Sequence, residues 1–198
     1  MRIGIIGAGN VGLALARGFA AAGHNVVLGT RDPGKPAVAE WLAHAGERGL
    51  AADYRAAADS AELVIVAVLG RYVVDVAETI GPDAFAGKVV IDVTNPIVPT
   101  DTGAVSAFGE DDSAAEALQR TLPDAYVVKA FNQMPAEAMT SPRPDETRPL
   151  RIAGDHEPSK AVVAKIAESF GWTVRDLGPL KRSRALERGV VEWYARQP

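Results

Sequence analysis

A chain of 198 residues with 47% apolar residues, 23% charged residues and a net charge of −4 is long enough for one domain with a sizeable core. The acidic balance offers no basic field for a phosphate backbone, so no nucleic-acid partner is expected. The lack of cysteine removes disulfides, thiolate nucleophiles and zinc–thiolate sites. With neither a signal-peptide h-region nor a bilayer-length apolar run, the expected location is cytoplasmic, with no membrane partner.

Arg2 to Ile6 is an isoleucine-rich run ended by glycine, and it is predicted as a buried parallel strand. Asn10 to Ala22 carries Val11, Leu13, Leu15 and Phe19 and stops at Gly23, which predicts a helix. Val26 to Gly29 is the second strand. Asp32-Pro33 reads as an N-cap followed by proline in the first helical position, opening a helix to about Glu47. Leu50 to Ala58 holds a short third strand and one helical turn. Leu63 to Leu69 is a continuous apolar strand, and Arg71 to Ile80 is helical. Lys88 to Val93 is the fifth strand. A loop runs from Thr94-Asn95-Pro96 to Asp112, and a helix then reaches Leu122. Ala125 to Lys129 is the next strand, followed by Ala130 to Gln133 and a short helix near Pro135. Ser141 to Pro149 is a surface loop. Leu150 to Ala153 and Trp172 to Asp176 are strands around the helix Ser159 to Phe170, and Arg182 to Tyr194 is the last helix.

Strand and helix alternate throughout, which predicts an α/β fold: a doubly wound, mostly parallel Rossmann sheet with helices on both faces. The sheet takes up residues 1–198 as a single domain, and a separate substrate domain is not expected.

Gly7-Ala8-Gly9-Asn10-Val11-Gly12 follows the first strand directly and opens the first helix, the context that gives a G-x-G-x-x-G loop its meaning. Gly7 permits the turn, Gly9 the approach of a pyrophosphate, and Gly12 close helix–strand packing. The free N–H groups of the helix suit phosphate. An NAD site places an acid at the end of the second strand, but here Leu28-Gly29 is followed by Thr30 and Arg31. A hydroxyl and a guanidinium suit a 2′-phosphate, with Lys35 as a second cation, so NADP(H) is expected. The rival is Asp32, which could hold a ribose hydroxyl and favour NAD. Its reading as a helix cap is preferred because Pro33 follows.

Ligands of open α/β sheets lie at the carboxyl ends of the strands. Those ends carry Val68, Leu69, Gly70, Arg71 and Tyr72, then Thr94, Asn95 and Pro96, then Lys129 to Gln133. Asn95-Pro96 offers a fixed turn and an amide for a carboxamide or ribose. Phe131 and Met134-Pro135 offer flat apolar surface. His24, His44 and His156 read as surface or capping residues. Lys129 is the one ionisable side chain near the expected nicotinamide, with a salt bridge as its plainer role. No metal-ligand spacing, paired carboxylate or Ser-His-Asp pattern stands out. Such a site lets a cofactor carry the chemistry, since hydride exchange between two flat rings needs orientation rather than a protein nucleophile.

Gly23-His24-Asn25-Val26-Val27-Leu28-Gly29-Thr30-Arg31, Asn95-Pro96-Ile97-Val98-Pro99, Val127-Val128-Lys129-Ala130-Phe131-Asn132 and Leu177-Gly178-Pro179-Leu180 with Ser183-Arg184 are more specific than the glycine loop. With Met1-Arg2-Ile3 and that loop, they give a chain that resembles the deazaflavin-dependent NADP oxidoreductases, and the reductase domain of the STEAP metalloreductases is similar. The resemblance implies hydride transfer between NADPH and the 8-hydroxy-5-deazaflavin coenzyme. It implies 2′-phosphate contacts at Thr30, Arg31 and Lys35, contacts after the fourth strand at Val68, Leu69 and Tyr72, and nicotinamide contacts at Asn95, Pro96 and Ala130. Asp32 stands where the family often has a second arginine. Competing readings are an NADPH-dependent reductase of flavin, ferric chelate or a small imine or carbonyl compound, and a non-catalytic NADP(H) sensor. The last helix, with Leu186, Val190 and Trp193 on one side, is expected to serve the core or a homodimer contact.

Overall fold

The computed structural model describes residues 1–196. Its parallel heart is β1 (Arg2–Ile6), β2 (Asn25–Gly29), β3 (Gly49–Ala52), β4 (Leu63–Val66), β5 (Val89–Asp92) and β8 (Tyr126–Lys129), in the spatial order β3-β2-β1-β4-β5-β8. This is the doubly wound order, with its reversal beside β1. β9 (Leu150–Gly154) joins β8 antiparallel, and β10 (Val174–Asp176) lies parallel to β9 at the edge. The expected mostly parallel sheet is therefore present, with one antiparallel step.

Side chains alternate across the sheet with period two. Ile3 and Ile5 of β1, Leu63 and Ile65 of β4, and Ile91 of β5 face α1 (Asn10–Ala21), α2 (Pro36–Ala45) and α6 (Glu157–Ser169). Ile6, Val64, Val66 and Val90 face α3 (Tyr54–Ser60), α4 (Val73–Ile80) and α5 (Ala114–Thr121). Both faces are thus covered, which is why the strands read as continuous apolar runs. The last helix, α7 (Ser183–Ala195), crosses near α5 and the hairpin β6 (Ile97–Thr100) and β7 (Gly103–Ser106). No helix among the described residues is long and apolar enough to cross a membrane.

Two local expectations are corrected. The helix expected at Asp32-Pro33 begins at Pro36, with Lys35 in the cap position. Asp32 instead closes a turn, its Oδ1 accepting the Gly34 N–H at 3.1 Å. Two prolines compete for the first helical position, and Pro36 takes it because the Lys35 carbonyl accepts from Val38 and Ala39. The stretch expected as a plain loop after Asn95-Pro96 contains the β6–β7 hairpin. Pro99 disguises it, being tolerated only because each strand has one partner in this two-stranded ribbon.

Candidate functional site

The carboxyl ends of β1, β2, β4, β5 and β8 open on one rim. At β1 the chain turns sharply through Gly7, whose φ of +116° excludes an ordinary side chain. A Cβ there would also lie 2.5 Å from the Ala67 carbonyl oxygen, and one on Gly12 would run into the Gly7 carbonyl. Gly9 differs: a Cβ there would meet nothing within 4 Å. Protein packing therefore explains Gly7 and Gly12, whereas the bare backbone at Gly9 leaves a cradle that a side chain would fill. Gly9 is also the cap of α1, with no side-chain hydrogen bond on the cap and no acid in the first turn. The N–H groups of Asn10, Val11 and Gly12 precede the first intrahelical donor, Leu13, and are free to meet an anion. Ala8 and Val11 are half-buried beside them.

At the end of β2, Thr30 is buried and spends its hydroxyl on the turn, accepting from the Asp32 N–H at 3.1 Å and donating to the Asp32 carbonyl at 3.2 Å. Arg31 is exposed and has no partner among the described residues. Lys35 reaches back over the loop, its Nζ donating to the Ala8 carbonyl at 3.2 Å. Two cations thus flank the glycine loop, and the Asp32 carboxylate is turned onto its own backbone. These residues suit the adenosine 2′-phosphate and the pyrophosphate of NADP(H).

After β4, Val68 is half-buried, whereas Leu69 and Tyr72 are exposed, 60% and 47% respectively, and stand on the rim. Arg71 lies over the Tyr72 ring at 4.8 Å and donates to the Ile97 carbonyl. Gly70 packs so closely on Asn95 that a Cβ would strike its backbone. These contacts bring the β4 and β5 ends together.

Asn95 and Asn132 pair reciprocally. Asn95 Nδ2 donates to the Asn132 carbonyl, and Asn132 Nδ2 donates to Asn95 Oδ1, both at 2.9 Å. Asn132 also donates to the Leu186 carbonyl of α7 at 3.3 Å. Pro96 and Ala130 are buried beside this pair, with the Ala130 N–H donated to the Asp92 carbonyl. Phe131, expected to present a ring, is instead 1% exposed in the core, with a φ of +61°. A non-glycine residue there is strained, and strain of this kind gathers at functional sites. The Thr94 hydroxyl is buried and has no hydrogen-bond partner among the described residues.

Lys129 is wholly buried. Its Nζ lies 2.9 Å from Asp92 Oδ2, 2.6 Å from the Thr94 carbonyl and 2.7 Å from Glu187 Oε1. Three acceptors around the ammonium match its three protons. Burial works against the charge, but Asp92 and Glu187 outweigh it and hold the Lys129 pKa above the ordinary lysine value. Burial pushes the Glu187 carboxyl up, against the pull of Lys129. Among the described residues the Glu187 oxygens nevertheless face only N–H donors, namely Lys129, Ala114 at 2.9 Å and Ala115 at 3.2 Å, a set that suits a carboxylate.

The structure thus gathers the predicted residues on one rim, in two clusters: Gly7 to Gly12 with Thr30, Arg31 and Lys35, and Val68 to Tyr72 with Asn95, Pro96 and Ala130. Sequence reasoning places Thr94 and Asn132 on the rim without giving them a role, and it misses Asp92 and Glu187. The signal for one pair was present: an acid ends β5 and a lysine ends β8, and the two strands are adjacent in the sheet with Asp92 opposite Lys129. The histidines lie elsewhere. His44 bonds to the Glu40 carbonyl, His24 packs near Phe19, and His156 stacks on Tyr126 at 3.9 Å.

Residues 2–96 match the family described as NADP oxidoreductase, coenzyme F420-dependent. The chain is 33% identical over 202 residues to the F420-dependent NADP reductase of Methanothermobacter marburgensis, covering 95% of this chain and 88% of that protein. A crystal structure of a candidate F420-dependent NADP reductase from Arthrobacter sp. FB24 superposes with a TM-score of 0.89 at 32% identity, over 96% of this chain and 90% of that one. Metalloreductase STEAP3 of Rattus norvegicus is 30% identical over 187 residues, and the chain spans 36% of that relative's length. With a third of its residues shared along nearly the whole length of a reductase of this kind, the chain belongs to the family of coenzyme F420-dependent NADP oxidoreductases.

Proposed function

We propose that this protein transfers a hydride between NADPH and coenzyme F420, an 8-hydroxy-5-deazaflavin. The observation that carries the reading is the open cradle at Gly9, with Arg31 exposed after β2 and without a partner among the described residues, on a chain similar to F420-dependent NADP reductases along almost its full length. When bound, the nicotinamide and the deazaflavin supply the redox chemistry, one ring giving the hydride and the other taking it. The first turn of α1 holds the pyrophosphate. Arg31 and Lys35 hold the 2′-phosphate, with Thr30 shaping the turn that presents them. Thr94 and Asn95, with Pro96 and Ala130, orient the carboxamide end. Val68, Leu69 and Tyr72 shield the ring from water. Lys129 acts by holding the Thr94 carbonyl in place, its protons being engaged inside the protein. The reading includes a single nucleotide-binding domain over residues 1–198, working in the cytoplasm. It also includes a homodimer, whose contact surface would take in the exposed Tyr194 of α7 and Val105 of β7, the strand packed against it. A monomer mass by sedimentation at working concentration would remove the dimer.

An acceptor panel tests the proposal. NADPH oxidation is followed with coenzyme F420, a free flavin, a ferric chelate and a cyclic imine in turn. The expected result is turnover with the deazaflavin far above the rest. Preference for flavin, iron or imine would replace the acceptor, and tight NADPH binding with no turnover on any of them would indicate a sensor.

A further inference from the structure

Asp92, Lys129 and Glu187 put two carboxylates against one ammonium inside the protein, with exposures of 0%, 0% and 3%. Asp92 Oδ1 accepts from the Thr94 N–H at 2.8 Å and Oδ2 from Lys129, so among the described residues it too faces only N–H donors. The cluster therefore carries one uncompensated negative charge, softened by the N-terminus of α5 at Ala114 and Ala115. A buried charge is costly and is retained where structure holds it. It sits directly under the reacting end of the rim. Lys129 precedes Ala130, Asp92 holds Thr94, and Thr94 precedes Asn95.

We infer that this triad is a fixed counter-charge that favours the oxidised, cationic nicotinamide over the reduced, neutral one. The inference rests on the proposed NADP(H) function. When NADPH gives up its hydride, two electrons and one hydrogen pass to the acceptor, which takes one further proton from solvent, and the nicotinamide ring is left positive. An oriented negative charge in a low-dielectric interior lowers the cost of that positive charge without reorganising at the moment of transfer. A purely structural triad, serving only to tie α7 to the ends of β5 and β8, would weaken both nucleotides together when disturbed.

The experiment is the ratio of dissociation constants for NADP⁺ and NADPH, measured by titration calorimetry or fluorescence on the full chain without any acceptor. Glu187→Gln preserves shape and removes one negative charge. It should weaken NADP⁺ relative to NADPH by roughly three- to tenfold, on the order of one screened unit charge acting across the protein. Glu187→Asp, which keeps the charge, should leave the ratio at its wild-type value. Partial unfolding lowers both apparent affinities by the same factor and cancels in the ratio. Asp92→Asn is the second route should Glu187→Gln not accumulate, and it is expected to move the ratio in the same direction. An unchanged ratio in the Gln or Asn variant that still binds both nucleotides would overturn the counter-charge and leave nucleotide binding standing. Failure of the wild-type protein to bind either nucleotide would instead overturn the proposed function.

Discussion

At the β1–α1–β2 end of the rim, the groups facing outward are bare backbone, free N–H groups and exposed cations with few protein partners. At the β5–β8 end, nearly every polar group is already spent on another protein group: Asn95 on Asn132, Lys129 on Asp92 and Glu187, Asn132 on α7. The first end leaves its donors and cations open toward a ligand. The second is completed by the protein before any ligand arrives. The difference matches the two tasks of the proposed reaction. A nucleotide tail is anchored by charge and open donors, whereas a reacting ring must be held in one orientation by a scaffold that does not move.

Substitutions that treat the two ends alike would break this contrast. The largest effect is expected from Lys129→Ala. It leaves Asp92 and Glu187 buried without their cation and should cost about 3–5 kcal/mol by chemical denaturation. A variant as stable as wild type would show that the reacting end does not depend on the triad.

Next come two glycines of the loop, which should separate cleanly. Gly12→Ala forces a Cβ into the Gly7 carbonyl and should cost about 1–3 kcal/mol of stability, as overpacking does. Gly9→Ala should leave stability within about 0.5 kcal/mol yet weaken NADPH about tenfold or more. Equal loss of stability in both would mean that Gly9, too, serves only the fold.

Arg31→Ala should raise the dissociation constant for NADPH by about tenfold to a hundredfold, the worth of a charge-assisted bond. NADH should change less than about twofold. Parallel losses for the two nucleotides would remove Arg31 from the 2′-phosphate. The smallest effect is expected at Thr94, whose buried hydroxyl lacks a partner. Thr94→Val should raise stability by about 1 kcal/mol while weakening NADPH roughly threefold. A loss of stability would show that the hydroxyl is already satisfied within the protein.

The same contrast explains what was legible in the sequence. The glycine loop, Thr30 and Arg31 are local: each acts within a few residues of a strand end, so order along the chain reveals them. The α/β alternation was equally plain because both faces of the sheet are covered and the strands are short apolar runs. The reacting end is made of long-range pairs. Asp92 and Lys129 are 37 residues apart, and so are Asn95 and Asn132. Glu187 reads as one more surface acid on an amphipathic helix until α7 is docked. From sequence Phe131 reads as a ring for stacking because nothing in its neighbours reveals the turn that buries it. Asp32 reads as a cap for a local reason, since Pro33 and Pro36 both suit a helix start and the Lys35 carbonyl decides between them.

Hydride transfer between NADPH and the deazaflavin on this rim is tested most directly by anaerobic stopped-flow mixing of high enzyme with NADPH and oxidised coenzyme F420. The deazaflavin absorbance is expected to bleach together with the NADPH signal, at a rate that rises with enzyme concentration. No change in either signal, from a protein shown to bind NADPH, would contradict it.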